Sequence, residues 1–342
     1  MRRTLKQIAT ELKVSPMTVS RALRGAPGVG EETAARIREY ARSVHYRPDQ
    51  AARSLVARRA RAFGIIVPNL RHSFWLDMVI GVECVARAAG YQVFISHAAD
   101  DPRTEREEIR ALVSRRVDAL LVASCDPDAN ADLMWEAEAG GVPVVLFDRH
   151  GERIAAPGVY ADDAGGARQA TAHLAGIGYR RIAHLAGDLR YSPARLRVAG
   201  YEATMHERGL TPLVREAGFG EPNGHRGMHA LLEARAPEAV FVSHDPSAIG
   251  ALHAALERGL RVPEDVAIVG FGDIECAAHV AVPLTTVSQP KVELGEALGA
   301  LALRRIAGQA CATERVVLPT HLVVRRSCGA LPRSVPPEGE RL

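Results

Sequence analysis

The chain has 342 residues, of which 47% are hydrophobic and 24% are charged, and its formal net charge is +3, values typical of a globular protein with two or three domains. No run approaches the roughly 18 apolar residues of a membrane span, and the basic start MRRTLKQIATEL lacks the apolar segment of a secretory signal, so the sequence predicts a cytoplasmic protein. The five cysteines are scattered and never paired as C-x-x-C, which favours reduced thiols.

The first predicted elements are two short helices within residues 4–23, TLKQIATELKVSPMTVSRAL. Thr4 and Gln7 have the spacing of a capping box, in which the side chain of each residue accepts from the backbone N–H of the other. After a turn, Ser15 can cap a second helix that begins at Pro16, where the missing N–H of proline costs nothing. The pattern predicts a helix-turn-helix whose second helix offers its N-terminal half to the DNA major groove.

Charge is distributed unevenly along the chain. Residues 1–61 hold 14 Lys and Arg against 5 Asp and Glu, a net charge of +9, whereas the remainder holds 29 against 35, a net charge of −6. A basic head on a mildly acidic body is typical of a protein that binds the nucleic-acid backbone. The alternative is an ordinary helical hairpin with a solvated basic face, because helix-turn-helix patterns also occur in other proteins. The charge favours DNA binding.

A third helix is predicted over about residues 31–44, where apolar residues recur at helical spacing and close a three-helix head. Asp49 can then cap the alanine-rich, basic run 50–57, which has no apolar stripe broad enough for a core. A helix this short is marginal by itself in water. Residues 48–61 are therefore predicted to form a linker, with a flexible tether as the alternative to a hinge helix.

From about residue 62 onward, short apolar strands alternate with helical segments. Continuous apolar strands of this kind argue for parallel sheets covered on both faces. The alternation restarts near residue 162, which predicts two similar α/β halves, and ligands of such sheets bind in a cleft beyond the carboxyl ends of the strands. The predicted strands are 63–67, 91–95, 119–122, 142–147, 181–185, 239–242 and 266–271, and the predicted helices are about 74–89, 103–116, 162–177, 192–208 and 290–307.

Several stretches together resemble the LacI/GalR family of bacterial transcription regulators: VSPMTVSRAL, YRPDQAARSL, FGIIVPN, VPVVLFDR, RVAGY, RVPEDVAIVGFGD and PLTTVSQP. The resemblance runs from about residue 4 to residue 327, and the order and spacing of the stretches make it specific. It implies an all-α helix-turn-helix head, a hinge helix, and an α/β core of two subdomains with parallel sheets, like the periplasmic binding proteins. It also implies a homodimer that binds a palindromic operator in double-stranded DNA and changes its affinity when a small-molecule effector enters the cleft.

The same resemblance implies domain boundaries. The DNA-binding domain takes residues 1–47, the hinge helix and linker 48–61, the effector-binding and dimerisation core 62–330, and a disordered tail 331–342. Within the core, the N-subdomain is expected to comprise about 62–160 and 290–318, and the C-subdomain about 161–289 and 319–330. The helix near residue 290 would then return the chain to the first half.

The resemblance assigns DNA contacts residue by residue. Family members read base edges at the positions of Pro16, Met17 and Arg21. We expect Arg21 to make a bidentate contact to guanine, whereas Met17 offers only apolar contact. In the hinge, Leu55 corresponds to an apolar wedge that enters the minor groove, and Arg53 lies beside it as a further DNA contact. The positions expected to contact the DNA backbone are Thr4, Leu5, Ser15, Thr18, Ser20 and Thr33.

Effector contacts are implied at strand ends that face the cleft. Asp148 follows the strand VVLF, and Arg197 lies on the predicted helix that contains RLRVAGY. The family uses both positions for ligand hydroxyls, carboxylates or polar ring atoms. Asp273 is ambiguous, because the usual ligand-binding aspartate falls on Gly272, one position earlier. For each charged residue, the alternative is a helix cap or a solvated strand end. The other predicted effector-binding residues are Ser73, Phe74, Trp75, His244 and Asp245.

The expected effector is a sugar, a sugar acid or a sugar phosphate, and a cleft with one arginine and one aspartate favours a neutral monosaccharide or a sugar acid. The resemblance implies no cofactor, no metal, no membrane partner, and a cytoplasmic location at the nucleoid through DNA binding. No enzymatic activity is predicted, because the chain lacks the G-x-G-x-x-G, G-x-x-x-x-G-K-[ST], H-E-x-x-H and G-x-S-x-G motifs. Two alternatives come from other classes of protein. A sugar-binding transport component would share the core but not the basic head, and a sugar kinase or isomerase would need a phosphate or metal motif. The sequence leaves open whether the effector releases the protein from DNA or promotes binding.

Overall fold

The computed structural model describes residues 3–46, 60–151, 153–234 and 237–330. The chain divides into two units, the head (residues 1–60) and the core (residues 61–342). Most of the predicted hinge, with Arg53 and Leu55, and the predicted tail over 331–342 lie outside the described residues. None of the described helices is both long and apolar enough to cross a membrane.

Three helices follow one another in the described part of the head: α1 (Leu5–Glu11), α2 (Pro16–Arg24) and α3 (Glu31–Ser43). Each contributes apolar side chains to one small core, which confirms the periodicity seen in the sequence. The core side chains that are at least nine-tenths buried are Ile8, Ala9, Val19, Ala22, Ala34 and Ile37.

The caps of α1 and α2 are those that the sequence predicts. The Thr4 hydroxyl accepts from the Gln7 N–H at 3.3 Å, and the Gln7 side chain accepts from the Thr4 N–H at 2.8 Å. The Ser15 hydroxyl accepts from the Thr18 N–H at 3.0 Å, and Pro16 opens the helix. These contacts satisfy N–H groups that the first turn of a helix otherwise leaves without partners.

The core contains two six-stranded sheets. The first has the order β11-β5-β4-β3-β1-β2 with all neighbours parallel, and the second has the order β12-β10-β9-β8-β6-β7 with only β10 and β12 antiparallel. The strands are β1 (Ala62–Val67), β2 (Gln92–His97), β3 (Ala119–Val122), β4 (Val144–Phe147), β5 (Gly158–Ala161), β6 (Ile182–Ala186), β7 (Val214–Glu216), β8 (Ala239–Val242), β9 (Ala267–Gly272), β10 (Thr285–Ser288), β11 (Arg315–Leu318) and β12 (His321–Val323). The predicted α/β class with parallel sheets is confirmed.

Helices cover these sheets, and most central strands are completely buried, as continuous apolar runs predict. The helices of the core are α4 (Ser73–Ala88), α5 (Pro102–Ser114), α6 (Ala131–Ala139), α7 (Asp163–Ile177), α8 (Ser192–Glu207), α9 (Glu221–Ala234), α10 (Asp245–Glu257) and α11 (Lys291–Ile306), with a short 3-10 helix at Glu275–Ala278.

The chain passes between the two halves of the core more than once. Strands β1 to β5 and β11 build the first sheet, whereas β6 to β10 and β12 build the second. Helix α11 returns to the first half, as the family resemblance implied, because Leu294, Leu298 and Leu301 share a buried cluster with Phe63 and Phe147. Each half therefore takes residues from distant parts of the chain.

Several elements were not predicted. Strands β5, β7, β11 and β12 each hold no more than three consecutive apolar residues, fewer than the run of four or more that indicates a buried strand. Helix α9 contains Gly224 and Gly227, which are poor helix formers. A Cβ at Gly224 would lie 1.9 Å from the Ser247 carbonyl oxygen. The glycine is therefore required by close packing of α9 on α10, a tertiary constraint that local pattern does not reveal.

Candidate functional site

In the head, the outward face of α2 carries the residues predicted to read bases. Pro16 and Arg21 are exposed, and Met17 is 60% exposed, although Val19 and Ala22 of the same helix are buried in the head core. An exposed methionine on an otherwise well-packed small domain is apolar area available for contact. The helix thus separates a packing face from a face open to a partner.

The residues predicted to contact the DNA backbone cluster at the starts of the three helices. Thr4 caps α1, Ser15 caps α2, and Thr33 lies in the first turn of α3. Helix starts present N–H groups and a partial positive charge, which suits phosphate. Leu5 is half-buried against the head core, so part of its role is packing. Thr18 and Ser20 are half-buried on α2.

In the core, a cavity of about 460 Å³ opens beyond the carboxyl ends of strands from both sheets. This is the position at which α/β proteins commonly bind ligands. Six of the eight predicted effector residues line it. They are Ser73, Phe74 and Trp75 at the start of α4, Asp148 after β4, Arg197 on α8 and His244 after β8.

Asp148 lies immediately after β4 with a backbone φ of 59°, a left-handed conformation that few residues other than Gly, Asn and Asp adopt. Its N–H donates to the Val159 carbonyl at 3.1 Å, which ties this turn to β5. Burial raises the pKa of the Asp148 carboxyl, and the neighbouring Arg149 opposes that shift. The side chain is therefore a buried carboxyl in the cavity wall.

Arg197 is largely occupied by contacts within the wall. Its Nε and Nη2 donate to Asp163 at 2.8 and 2.7 Å, and its Nη1 donates to the Ser243 carbonyl at 2.5 Å. The guanidinium carbon lies 3.8 Å from the centroid of the Phe271 ring. Burial raises the pKa of Asp163 to about 6, although Arg197 opposes the shift. Arg197 faces the cavity with part of its donor set already used.

Two stacked imidazoles form another part of the wall. The rings of His72 and His244 lie 5.7 Å apart with an interplanar angle of 11°. His244 Nε2 accepts from the Gly220 N–H at 3.1 Å. Burial lowers the pKa of His72 to about 4 and the pKa of His244 well below its usual 6.5, so both rings are neutral near pH 7. The His244 proton is consequently on Nδ1.

The structure corrects two predicted cavity residues, Asp245 and Asp273, which are absent from the lining of this cavity. Asp245 is completely buried and accepts from the Thr286 hydroxyl at 2.6 Å and the Ile274 N–H at 2.9 Å. Asp273 has a φ of 51° and accepts from Arg325 at 2.7 Å. Both carboxylates stabilise the loop after β9, and Gly272 faces the cavity instead.

Sequence reasoning missed several lining residues. Arg149 is 8% exposed, with its guanidinium carbon 3.8 Å from the centroid of the Tyr191 ring. Gln289 follows β10, a strand that was not predicted. The position of Arg149 directly after Asp148 at a strand end was an available signal. The other lining residues that were not predicted are Asn69, Arg71, His72, Asp100, Tyr191, Pro193, Phe219, Gly220, Pro246, Phe271, Gly272, Ile274 and Cys276.

Residues that could hold a metal ion come together away from this cavity. His225, His229 and Glu257, on α9 and α10, place their ligating atoms within 4.8 Å of one another. The imidazole of His225 lies 2.7 Å from the Glu257 carboxylate, and Arg258 donates to His229 Nδ1 at 2.8 Å. As arranged, His225 is hydrogen-bonded to Glu257 and His229 to Arg258, and these two contacts join α9 to the end of α10.

Comparison with family models finds two matches. Residues 4–49 match the model of bacterial regulatory proteins of the lacI family, and residues 171–328 match that of the periplasmic binding protein-like domain. The first match covers most of the described head, and the second lies largely in the half of the core built on the second sheet.

Individual relatives match almost the whole chain. The HTH-type transcriptional repressor CytR of Escherichia coli (strain K12) is 30% identical over 333 residues, which are 96% of this chain and 97% of CytR. A crystal structure of the lac repressor dimer bound to operator and the anti-inducer ONPF has a TM-score of 0.87 and 27% identity, and the match covers 96% of this chain and 99% of that one. A complex of the transcriptional regulator CelR with cellobiose has a TM-score of 0.74 and 30% identity, over 95% and 100% of the two chains.

Proposed function

Because the chain belongs to the LacI family of bacterial regulatory proteins, we propose that it is a transcriptional repressor that binds operator DNA through its head and responds to a small molecule bound in the core cavity. The observation that carries the DNA-binding part is the exposed start of α2, where Pro16, Met17 and Arg21 face solvent while the other side of the helix packs in the head core. The net charge of +9 over residues 1–61 supplies attraction to phosphate.

The regulatory part rests on the cavity between the two halves of the core. Its volume of about 460 Å³ suits a small metabolite, and aromatic rings alternate with polar groups along its wall. CelR has been solved with cellobiose. A sugar, a sugar acid or a sugar phosphate is the effector class proposed for this chain, which acts as a regulator and not as an enzyme.

The proposed assembly is a cytoplasmic homodimer. Two heads related by two-fold symmetry read two half-sites, so the operator is a palindrome with half-sites about one helical turn apart. The lac repressor structure is a dimer on its operator. In this scheme Leu55 and Arg53 of the hinge contact the minor groove near the centre of the palindrome, and the helix starts of the head contact backbone phosphates.

The first prediction tests DNA reading. Selection of random duplexes by the purified full chain should return a two-fold symmetric site with the half-site spacing given above. On that site Arg21→Ala should cost about 1–3 kcal/mol of binding free energy and relax the preference at one base pair per half-site. Competition assays on the selected site and on each single-base variant measure both effects.

Arg42→Ala is the matched control, because it removes one exposed positive charge from α3 of the same head. It should weaken binding to all duplexes by about the same factor. On the selected site this factor should be smaller than that of Arg21→Ala. If Arg21→Ala also weakened all sequences equally, Arg21 would be a phosphate contact and the base-reading role would be wrong. A selection that enriched no sequence would contradict the proposed function itself.

A further inference from the structure

The side chain of Arg149 is buried in the cavity wall with most of its hydrogen-bonding capacity unused. Its guanidinium stacks on Tyr191, and its Nη1 donates to the Ser124 carbonyl at 3.3 Å. Its Nε is 3.8 Å from the Asp148 carboxylate, which is an ion pair but too long for a hydrogen bond. A guanidinium has five N–H donors. Within the described chain Arg149 has one hydrogen-bond acceptor and one long ion pair, so most of its five donors make no hydrogen bond to the protein.

Two more buried donors line the same cavity. His244 is 6% exposed, and its Nδ1–H has no hydrogen-bond partner among the described residues. The side-chain amide nitrogen of Gln289, also 6% exposed, lacks a partner within the same parts of the chain. Buried donors are nearly always satisfied in folded proteins. Both side chains reach this cavity from strand ends of the second half, which indicates that the missing acceptors belong to a ligand.

Acceptors are scarcer than donors in the wall. Asp245 and Asp273 are bonded elsewhere, and Gly272 occupies the cavity position beside them. Asp100 accepts from the Asn69 side chain at 2.9 Å. Asp148 is the remaining lining carboxylate, and one of its oxygens lies 3.8 Å from Arg149 Nε. Arg197 lies 2.7 Å from the Asp163 carboxylate, whereas the carboxylate beside Arg149 is 3.8 Å away, so Arg149 is the less compensated of these two guanidiniums.

We propose that the effector carries an anionic group, a carboxylate or a phosphate, that Arg149 binds it, and that His244 and Gln289 donate to oxygens of the same ligand. This inference rests on the proposed function, in that the cavity is taken to be the effector site. A planar guanidinium held 3.8 Å over a ring centroid, as Arg149 is over Tyr191, is a preorganised fork for carboxylate or phosphate oxygens. Sugar acids and sugar phosphates share this chemistry, and neutral sugars lack it.

The experiment uses tryptophan fluorescence. The chain has two tryptophans: Trp75 is 5% exposed and lines the cavity, whereas Trp135 is 54% exposed on α6. Trp135→Phe therefore leaves a single reporter in the cavity wall. This protein is titrated at constant ionic strength with gluconate, glucuronate, a hexose phosphate, glucose, ribose and cellobiose. At least one anion should bind about tenfold or more tightly than every neutral sugar.

Arg149→Gln, made in the same background, should weaken binding of that anion by about tenfold to a hundredfold, and Gln289→Met should weaken it by a smaller factor. Arg71→Gln is the matched control, because Arg71 also lines the cavity but is exposed. Its removal should change affinity by a factor of about three or less, because water screens exposed charge. Thermal melting verifies that each variant folds. If Arg149→Gln does not fold, Arg149→Lys keeps the charge without the fork and should still weaken anion binding.

Three results would overturn the inference: a neutral sugar that binds more tightly than all the anions, an equal loss for Arg71→Gln and Arg149→Gln, or no response to any anion up to about 10 mM. Operator binding, measured on the same preparations, separates this failure from that of the proposed function. If a neutral sugar shifted operator affinity, the proposed regulatory function would stand and the anionic effector would be wrong. If an anion bound the cavity but the protein showed no sequence-specific DNA binding, the anionic ligand would stand and the proposed regulatory function would be wrong.

Discussion

At the scale of single residues, His184 connects burial to pH-dependent stability. It lies in β6, is completely buried, and its Nδ1 is 2.9 Å from the Phe241 carbonyl oxygen. The ring also stacks on Phe241 at 4.5 Å between centroids. Burial lowers the pKa of His184 to about 4 from the usual 6.5. The neutral ring is therefore the form that the fold stabilises.

The corresponding prediction concerns stability between pH 4 and 6.5. As pH falls through this window the unfolded chain takes up a proton that the folded chain refuses, so the stabilising contribution of neutral His184 is present above pH 6.5 and is lost toward pH 4. In His184→Asn, whose amide can replace the Nδ1 donor, the slope of unfolding free energy against pH should be smaller by about 1.4 kcal/mol per pH unit in that window. Urea titrations at a series of pH values measure the slope.

His206→Asn, which replaces an exposed histidine in the last turn of α8, is the control and should leave the slope unchanged. Parallel profiles for the parent protein and His184→Asn would refute the assignment of this pH dependence to His184.

The site residues show what strand-end reasoning can and cannot predict. Asp148 and His244 were predicted because each follows a recognisable apolar strand, and such ends face the cleft. Asp273 also follows a strand, yet the chain turns at Gly272 and Asp273 pairs with Arg325. Arg149 was missed although it directly follows Asp148, whose left-handed backbone lies just beyond the end of β4. Orientation beyond a strand end depends on one or two dihedral angles, which periodicity does not determine.

At the scale of elements, long periodic helices and fully apolar strands could be predicted to within a residue or two. Helix α7 occupies Asp163–Ile177 against a prediction of 162–177, and β3 matches its predicted bounds. Elements that depend on tertiary contact could not be predicted in this way. Strand β11 exists through parallel pairing with β5. Helix α9 contains two glycines because Gly224 lets it approach α10 and Gly227 lets it pack on Leu185 of β6. Their stability comes from neighbours that are remote in sequence.

Replacement by alanine is predicted to change the free energy of unfolding in opposite directions at two helical glycines. Helices α4 and α11 meet at Gly81 and Gly295, and a Cβ at Gly295 would lie 2.1 Å from the Met78 carbonyl oxygen. Gly295→Ala must push the helices apart and should lower the free energy of unfolding by about 1–3 kcal/mol. Gly176 lies near the end of α7, and a Cβ there would have no neighbouring atom within 4 Å. Gly176→Ala should raise the free energy of unfolding by about 0.5–1 kcal/mol.

Denaturant titration of both variants measures these changes. If Gly295→Ala and Gly176→Ala destabilised the protein equally, close approach of α4 and α11 would not explain the effect at Gly295, and helix propensity would not explain the effect at Gly176. A stable Gly295→Ala protein would show that the two helices can separate without cost.

At the scale of the whole molecule, the chain combines a basic head with a core that contains a ligand cavity. The head has its own small apolar core, and the core has separate apolar clusters in each half. Regulation then requires a free-energy coupling between DNA binding and ligand binding, typically about 1–3 kcal/mol in such systems. For the proposed coupling, the hinge helix predicted within residues 48–61 would be the bistable element, because a helix this short is marginal by itself in water.

The last prediction separates the two ends of this coupling. Phe219→Ala removes an aromatic wall of the cavity, in edge-to-face contact with His244, and should weaken ligand binding about tenfold while operator affinity without ligand stays unchanged. Arg197→Ala is a poorer choice, because it would leave Asp163 buried without its partner.

In the hinge, Leu55→Ala should weaken operator binding and leave ligand affinity in the free protein unchanged. By linkage, operator DNA must shift ligand affinity by the factor by which ligand shifts operator affinity. Both factors can be measured with the Trp75 reporter and a labelled operator. The separate roles proposed for cavity and hinge would be wrong if the two factors were unequal, or if each variant impaired both ligand binding and operator binding.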